Sequence, residues 1–240
     1  EKGEAMYYFE VNAYAEVASF RIPEAHTFQQ TLPLPPPTTL VGLLGAAKGF
    51  SFEDALKFCQ KNNIRFGVQG NSRSKFKDLW KYQKIKIDGV IPAVLLREML
   101  AGLELYLLIA AEKKPLLDNV REAIKNPIYA LTAGNSDNLL KIKGISCISS
   151  GQVVKYTDFE ETVIKGDHSL NFETNIDIKT IPLMKDIYAP IIYLLPTEFE
   201  FKGNERRIKA RAPYTFIDIP IKLKNPVEAI DTGSKKVALL

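Results

Sequence analysis

Residues 102–126 read GLELYLLIAAEKKPLLDNVREAIKN. The first eleven are too apolar for a surface ribbon and too short to span a membrane, so they predict a buried strand. Pro115 then opens PLLDNVREAIKN, where Leu116, Val120 and Ile124 recur on one helical face and Pro127 ends the run. A buried strand feeding an amphipathic helix is one half of a crossover unit.

The other half lies upstream. YYFEVNAY (7–14) is aromatic and β-branched enough for a first strand. After it comes a stiff proline arm, with Pro33, Pro35, Pro36 and Pro37 in LPLPPPTTLVGLLGAA (32–47). Thr38 or Thr39 is the expected N-cap, followed by Leu40, Leu43, Leu44 and Ala47 at helical spacing. The helix is expected to continue through FEDALKFCQKN (52–62), with a break near Gly49 and a fresh cap at Ser51. IRFGVQ (64–69) supplies a second strand and IYALTAG (128–134) a fourth. The order is strand, helix, strand, insertion, strand, helix, strand. It predicts an α+β fold, a ferredoxin-like (RRM-like) βαββαβ palm with an insertion at about 71–100. Both helices are expected on one face of a four-stranded antiparallel sheet.

Strand-like segments between turn-rich stretches follow Gly144: ISCISSGQVVKYTDF (145–159), PIIYLLPTEFEF (190–201) and APYTFIDIPIKL (212–223). The chain therefore divides into a palm over 6–144 and a β-rich C-terminal portion over 145–240. Residues 1–5 precede the first methionine and read as a cloning remnant. Only Cys59 and Cys147 are present, which excludes a disulfide framework or a paired-cysteine zinc site. The longest apolar run, LYLLIAA (105–111), is far below membrane-spanning length, and a cytoplasmic protein is expected.

The formal net charge is only +4, but it is concentrated. NSRSKFKDLWKYQKIKID (71–88) carries Arg73, Lys75, Lys77, Lys81, Lys84 and Lys86 against Asp78 and Asp88. Phe76, Tyr82 and Trp80, the single tryptophan, are interleaved with them. Cations that meet phosphates beside aromatic faces on which bases stack describe an RNA-contacting surface. The bland alternative is a solvated hairpin whose rings fold back onto the core. With few apolar residues to bury in 71–90, the insertion is expected to be mobile or irregular in the isolated chain and to order only on RNA or a partner. KGNERRIKAR (202–211) is a second basic cluster, expected at a hairpin tip or loop, and the two together suggest a focused positive groove. Catalytic signals are sparse. His26 and His168 stand in polar stretches without a carboxylate, cysteine or serine partner at a telling spacing.

SFRIPEAHTFQQTLPLPPPTTLVGLLGAA (19–47), LLREML (95–100) and NPIYALTAGNSDNLLKI (126–142) together resemble the CRISPR-associated Cas5 family. Members of that family belong to the RAMP superfamily and are subunits of type I Cascade surveillance complexes, and the resemblance is to the I-A or I-B branch. It implies a ferredoxin-like palm with a thumb hairpin between its second and third strands, and a β-rich C-terminal part. It also implies a grip on the 5′ handle of crRNA, a cap on the backbone filament, and contacts with the backbone and large subunits. On that reading the proline arm aims the helix start at Thr38–Thr39 toward handle phosphates, with Arg21 beside it.

The candidate RNA contacts are then Arg21, Thr38, Thr39, Arg73, Lys75, Lys77, Trp80, Lys81, Arg97, Arg206 and Arg207. No catalytic residue, metal ligand, cofactor or membrane contact is expected. In the self-processing branch of the family a Tyr, a Lys and a His cleave repeat RNA. No adjacent Lys-His pair occurs here, so a non-catalytic subunit is the leading expectation. A metal-independent endoribonuclease using His26 or His168 is the alternative, and a small-ligand or regulatory domain of ferredoxin-like type is a third reading.

Overall fold

The computed structural model describes residues 4–25, 28–87, 89–174, 188–203 and 205–240, so His26 lies outside the described residues. Strand β1 (Ala5–Ala18) is followed by three short strands, β2 (Phe20–Arg21), β3 (Phe28–Gln29) and β4 (Thr31–Leu32). Helices α1 (Pro37–Lys48) and α2 (Phe52–Lys61) lead to β5 (Arg65–Asn71), β6 (Ser74–Lys86) and β7 (Gly89–Ala111). Helix α3 (Lys114–Lys125) and β8 (Lys141–Ile145) come next. Among the described residues seven further strands follow: β9 (Ser149–Phe159), β10 (Thr162–Lys165), β11 (Phe172–Thr174), β12 (Ile191–Lys202), β13 (Glu205–Ile217), β14 (Ile221–Asp231) and β15 (Lys236–Ala238).

The chain is α+β, with one mostly antiparallel sheet that carries strands from both portions. At its centre β8, β1, β7 and β5 lie side by side, each antiparallel to its neighbour. Alternation along the central strands explains the core. Phe9, Val11 and Ala13 of β1 and Leu105, Leu107 and Ile109 of β7 bury against Leu40 and Leu44 of α1 and Leu117, Val120 and Ile124 of α3. Intervening residues Tyr8, Tyr106, Leu108 and Ala110 bury on the opposite face against Val153, Ile230, Val237 and Leu239. With both faces covered, every position of LYLLIAA is a core position, hence its unbroken apolar run. The two expected helices do share one face.

Three expectations need correction. The fourth central strand is not 128–134 but Lys141–Ile145, registered on β1 with Val11 opposite Ile145. Residues 128 and 129 instead donate their backbone N–H groups to Ala47 and Ala46, supplying partners for carbonyls at the end of α1. Neither Thr38 nor Thr39 caps α1. Pro36 occupies the N-cap position with no side-chain bond and Pro37 stands at the first helical position, which puts both threonines inside the first turn. The insertion, finally, is a regular hairpin rather than an irregular segment. At the break the expectation holds: Gly49 closes α1, and the Ser51 hydroxyl accepts the Asp54 N–H at the start of α2.

Candidate nucleic-acid interface

Beyond the central sheet, β6 and the first half of β7 continue as a two-stranded ribbon, paired from Ser74–Ala101 to Lys86–Gly89. The side-chain period of two sorts its chemistry. Lys75, Lys77 and Lys81 fall on one face, opposite Leu100, Glu98 and Val94. Phe76, Trp80 and Tyr82 fall on the other, opposite Met99, Leu95 and Ala93, together with Lys84 and Lys86. Cations and rings interleaved in sequence are thus largely separated in space. Near the tip, Ile85, Ile87 and Val90 are exposed.

The root of the ribbon is tied down by the three stretches that carried the family resemblance. Arg97 is buried, ion-paired to Asp78 at 2.6 Å and to Asp137 at 3.4 Å. Its guanidinium lies 4.9 Å from the centre of the Trp80 ring, which also stacks on Tyr82. Glu98 accepts the Thr31 N–H at 3.1 Å and pairs with Lys75 at 3.8 Å. Ser19 donates its hydroxyl to the Glu98 carbonyl and its N–H to Ala133. At Gly134 (φ 98°) a Cβ would sit 1.8 Å from the Ser19 carbonyl oxygen, so the 126–142 loop can approach Ser19, between β1 and β2, only with glycine there. LLREML, the 19–47 segment and the 126–142 loop therefore converge on one anchor.

Beside that anchor is a recess of about 210 Å³, with Pro33 and Leu34 of the proline arm on one side and Tyr188 and Tyr193 on another. Arg73 and Lys75 open onto it from the ribbon. Arg73 is exposed and drapes over Gly102 (φ 60°), where any Cβ would meet its side chain at 2.9 Å. Lys75 stands 5.9 Å from the Tyr188 ring. Burial, with the nearby charge of Glu98, raises the Tyr193 phenol above its ordinary value.

Lys77 stands 5.5 Å from the Phe28 ring and Lys81 is exposed. Arg21 is exposed on β2, opposite Thr31 at the entrance to the proline arm. Thr38 and Thr39 are half-buried, and the helix start they share offers few donors: Pro36 and Pro37 have no N–H, and the Thr39 N–H bonds to Pro36 O at 2.9 Å. Arg206 and Arg207 lie beside the tip of the β12–β13 hairpin, as expected of that cluster. Arg206 covers the Phe52 ring at 4.6 Å and Arg207 pairs with Glu205 at 2.9 Å. The recess meets β12 at Ile191, opposite Phe216, ten residues along β13 from Arg206. That sets Arg206 about 30 Å of strand from the recess, while Arg211 of the same cluster pairs with Glu24, three residues from Arg21. Glu98, Asp137, Tyr188 and Tyr193 were missed in the sequence, where nothing distinguishes them from other acids and tyrosines.

A family model described as CRISPR-associated protein (Cas5) matches residues 8–146, more than half of the chain. The chain belongs to the CRISPR-associated Cas5 family. Among solved structures it is similar to a CRISPR protein from Archaeoglobus fulgidus, at 11% identity and TM-score 0.53, covering 96% of this chain and 98% of that one. It is also similar to a chain of a CRISPR RNA-guided surveillance complex, at 12% identity and TM-score 0.52, covering 91% of each. A third likeness, to a structure described as a Cas protein, has 20% identity and TM-score 0.36, with 54% of this chain and 57% of that one covered. The first two likenesses show a shared fold. No curated protein matches the chain. No helix among the described residues is long and apolar enough to cross a membrane.

Proposed function

We propose that the chain is a non-catalytic RNA-binding subunit of a type I CRISPR Cascade complex, of I-A or I-B type, built on a ferredoxin-like palm. In this reading it grips the 5′ handle of crRNA and caps the backbone filament, touching the backbone and large subunits. The observation that carries it is the projecting β6–β7 ribbon in a Cas5-family chain, with Lys75, Lys77 and Lys81 on a single face. Lys75 and Lys77 at successive alternate positions, with Lys81 further along the same face beyond Leu79, match a phosphate chain better than a protein surface. Arg73 at the ribbon root and Arg21 at the arm extend the same positive surface, while Arg97 positions the ribbon through its two carboxylates. The apolar tip at Ile85, Ile87 and Val90 suits a subunit partner.

The non-catalytic part of the reading draws on His168. That ring is buried, Nε2 sits 3.1 Å from the Lys165 carbonyl, and its backbone N–H is held by Thr215, an arrangement that serves a turn. The test is fluorescence anisotropy with labelled repeat RNA across a salt series, the same RNA being run on a gel afterward. Saturable, salt-sensitive binding with intact RNA is expected. Absence of binding, or a single cut abolished by His168→Ala, would overturn the reading.

A further inference from the structure

On the face of the sheet away from the helices, β5, the β9–β10 turn and the β14–β15 turn enclose an open recess of about 540 Å³. Its polar lining holds four carboxylates, Asp158, Glu160, Glu161 and Asp231, against Lys235 and Lys236. The two lysines are drawn to rings instead, Lys235 to Tyr106 at 5.0 Å and Lys236 to Tyr156 at 5.1 Å. Among the described residues Asp158, Glu160 and Asp231 form no ion pair; Asp158 accepts the Thr157 hydroxyl and Asp231 the Gly233 N–H.

A second observation is independent of charge. Gln69 lines the recess and is only 6% exposed. Its Nε2–H donates to the Lys236 carbonyl at 2.9 Å, which fixes the amide, and Oε1 is left without a hydrogen-bond partner. A buried acceptor in that state calls for a donor from outside. We infer that this recess receives a cationic side chain, an arginine, presented by a protein partner. A guanidinium carries five N–H donors in a fork that serves Gln69 Oε1 and flanking carboxylates together. RNA is excluded by like charge. A bare metal ion fits poorly, because among the described residues no three His, Cys, Asp or Glu side chains are grouped to hold one, and the volume suits a peptide segment. The inference is independent of the RNA reading.

The test is an NMR titration of the ¹⁵N-labelled full chain with acetyl-Gly-Arg-Gly-amide and its citrulline counterpart. The arginine peptide is expected to shift the Gln69 side-chain amide and the Gly233 N–H saturably, and the citrulline peptide to leave them in place. Asp158→Asn with Glu160→Gln, both at exposed positions, is expected to weaken binding about five- to tenfold. Silent resonances at millimolar peptide, equal response to citrulline, or the same shifts from Ca²⁺ alone with displacement of the peptide would each overturn it.

Discussion

Arg97 has a buried guanidinium but carboxylate partners that are 38% and 56% exposed, so its removal strands acids that water can still reach. Arg97→Ala is expected to cost about 1–3 kcal/mol, below the loss from breaking a fully buried pair. Urea denaturation measures that cost. In RNA titrations of the same variant the salt slope should stay unchanged, because the guanidinium is held by its two carboxylates; a slope lowered by a full charge would make Arg97 an RNA contact. The two thiols separate just as clearly. Burial pushes Cys59 up to about 12, whereas Cys147 is exposed. A disulfide reagent at neutral pH should modify one thiol per chain rapidly, and peptide mapping should find it at Cys147. At this scale sequence was a good guide where a side chain acts locally, as Ser51 does on Asp54. It misled at Thr38 and Thr39, because Pro37 at the first helical position already sets the helix start.

Elements were legible where one environment governs a whole segment. The apolar run 105–111 was legible as a buried strand, and the β-rich character after residue 144 was plain from strand-like segments between turn-rich stretches. Residues 128–134 have strand composition, but the N–H groups of Ile128 and Tyr129 go to the end of α1 and that of Ala133 to Asn138, tertiary demands that propensity does not record. The true edge strand, KIKGI, is too short and too rich in lysine and glycine to stand out. Lysines and rings of the insertion were legible as a cluster, while the placement of Lys75, Lys77 and Lys81 on the face opposite the rings follows only once the register is known. If Lys75, Lys77 and Lys81 track phosphates, their triple alanine variant should lower the salt slope of RNA binding by up to about two to three. An unchanged slope would remove this face from the RNA site. The continuous pairing from Ser74 to Lys86 also predicts slowed amide exchange along the ribbon of the free chain. Random-coil exchange there would mean that the ribbon orders only on a partner.

Across the whole molecule, buried thiol and phenol groups share one sign. Cys59 is raised by burial, as are Tyr106, Tyr193 and Tyr214. Each is neutral in both states at pH 7. As pH climbs past about 9, these groups ionise in the unfolded chain while the folded chain keeps its protons. Stability should therefore be fully present below that point and fall between about pH 9 and 12, visible as a falling denaturation midpoint. Removal of residues 236–240 should act at every pH, since Val237 and Leu239 are buried under the central sheet and the Leu240 N–H bonds to Phe66. A loss of about 3–6 kcal/mol is expected from the two side chains, checked by thermal melting.

Strand β1 finds all its partners far downstream: β7, then β8 and β9, with Tyr7 opposite Ala111. A ribosome adding about 5–20 residues per second has to synthesise roughly a hundred more residues before β7 can reach it, an interval of about 5–20 s. During that time YYFEVNAY is an aromatic strand with two open edges, emerging on many ribosomes of one message at once. Yield in the cell should therefore depend on how quickly codons 15–111 are read and on what shelters that segment meanwhile, even for substitutions that leave the finished fold untouched.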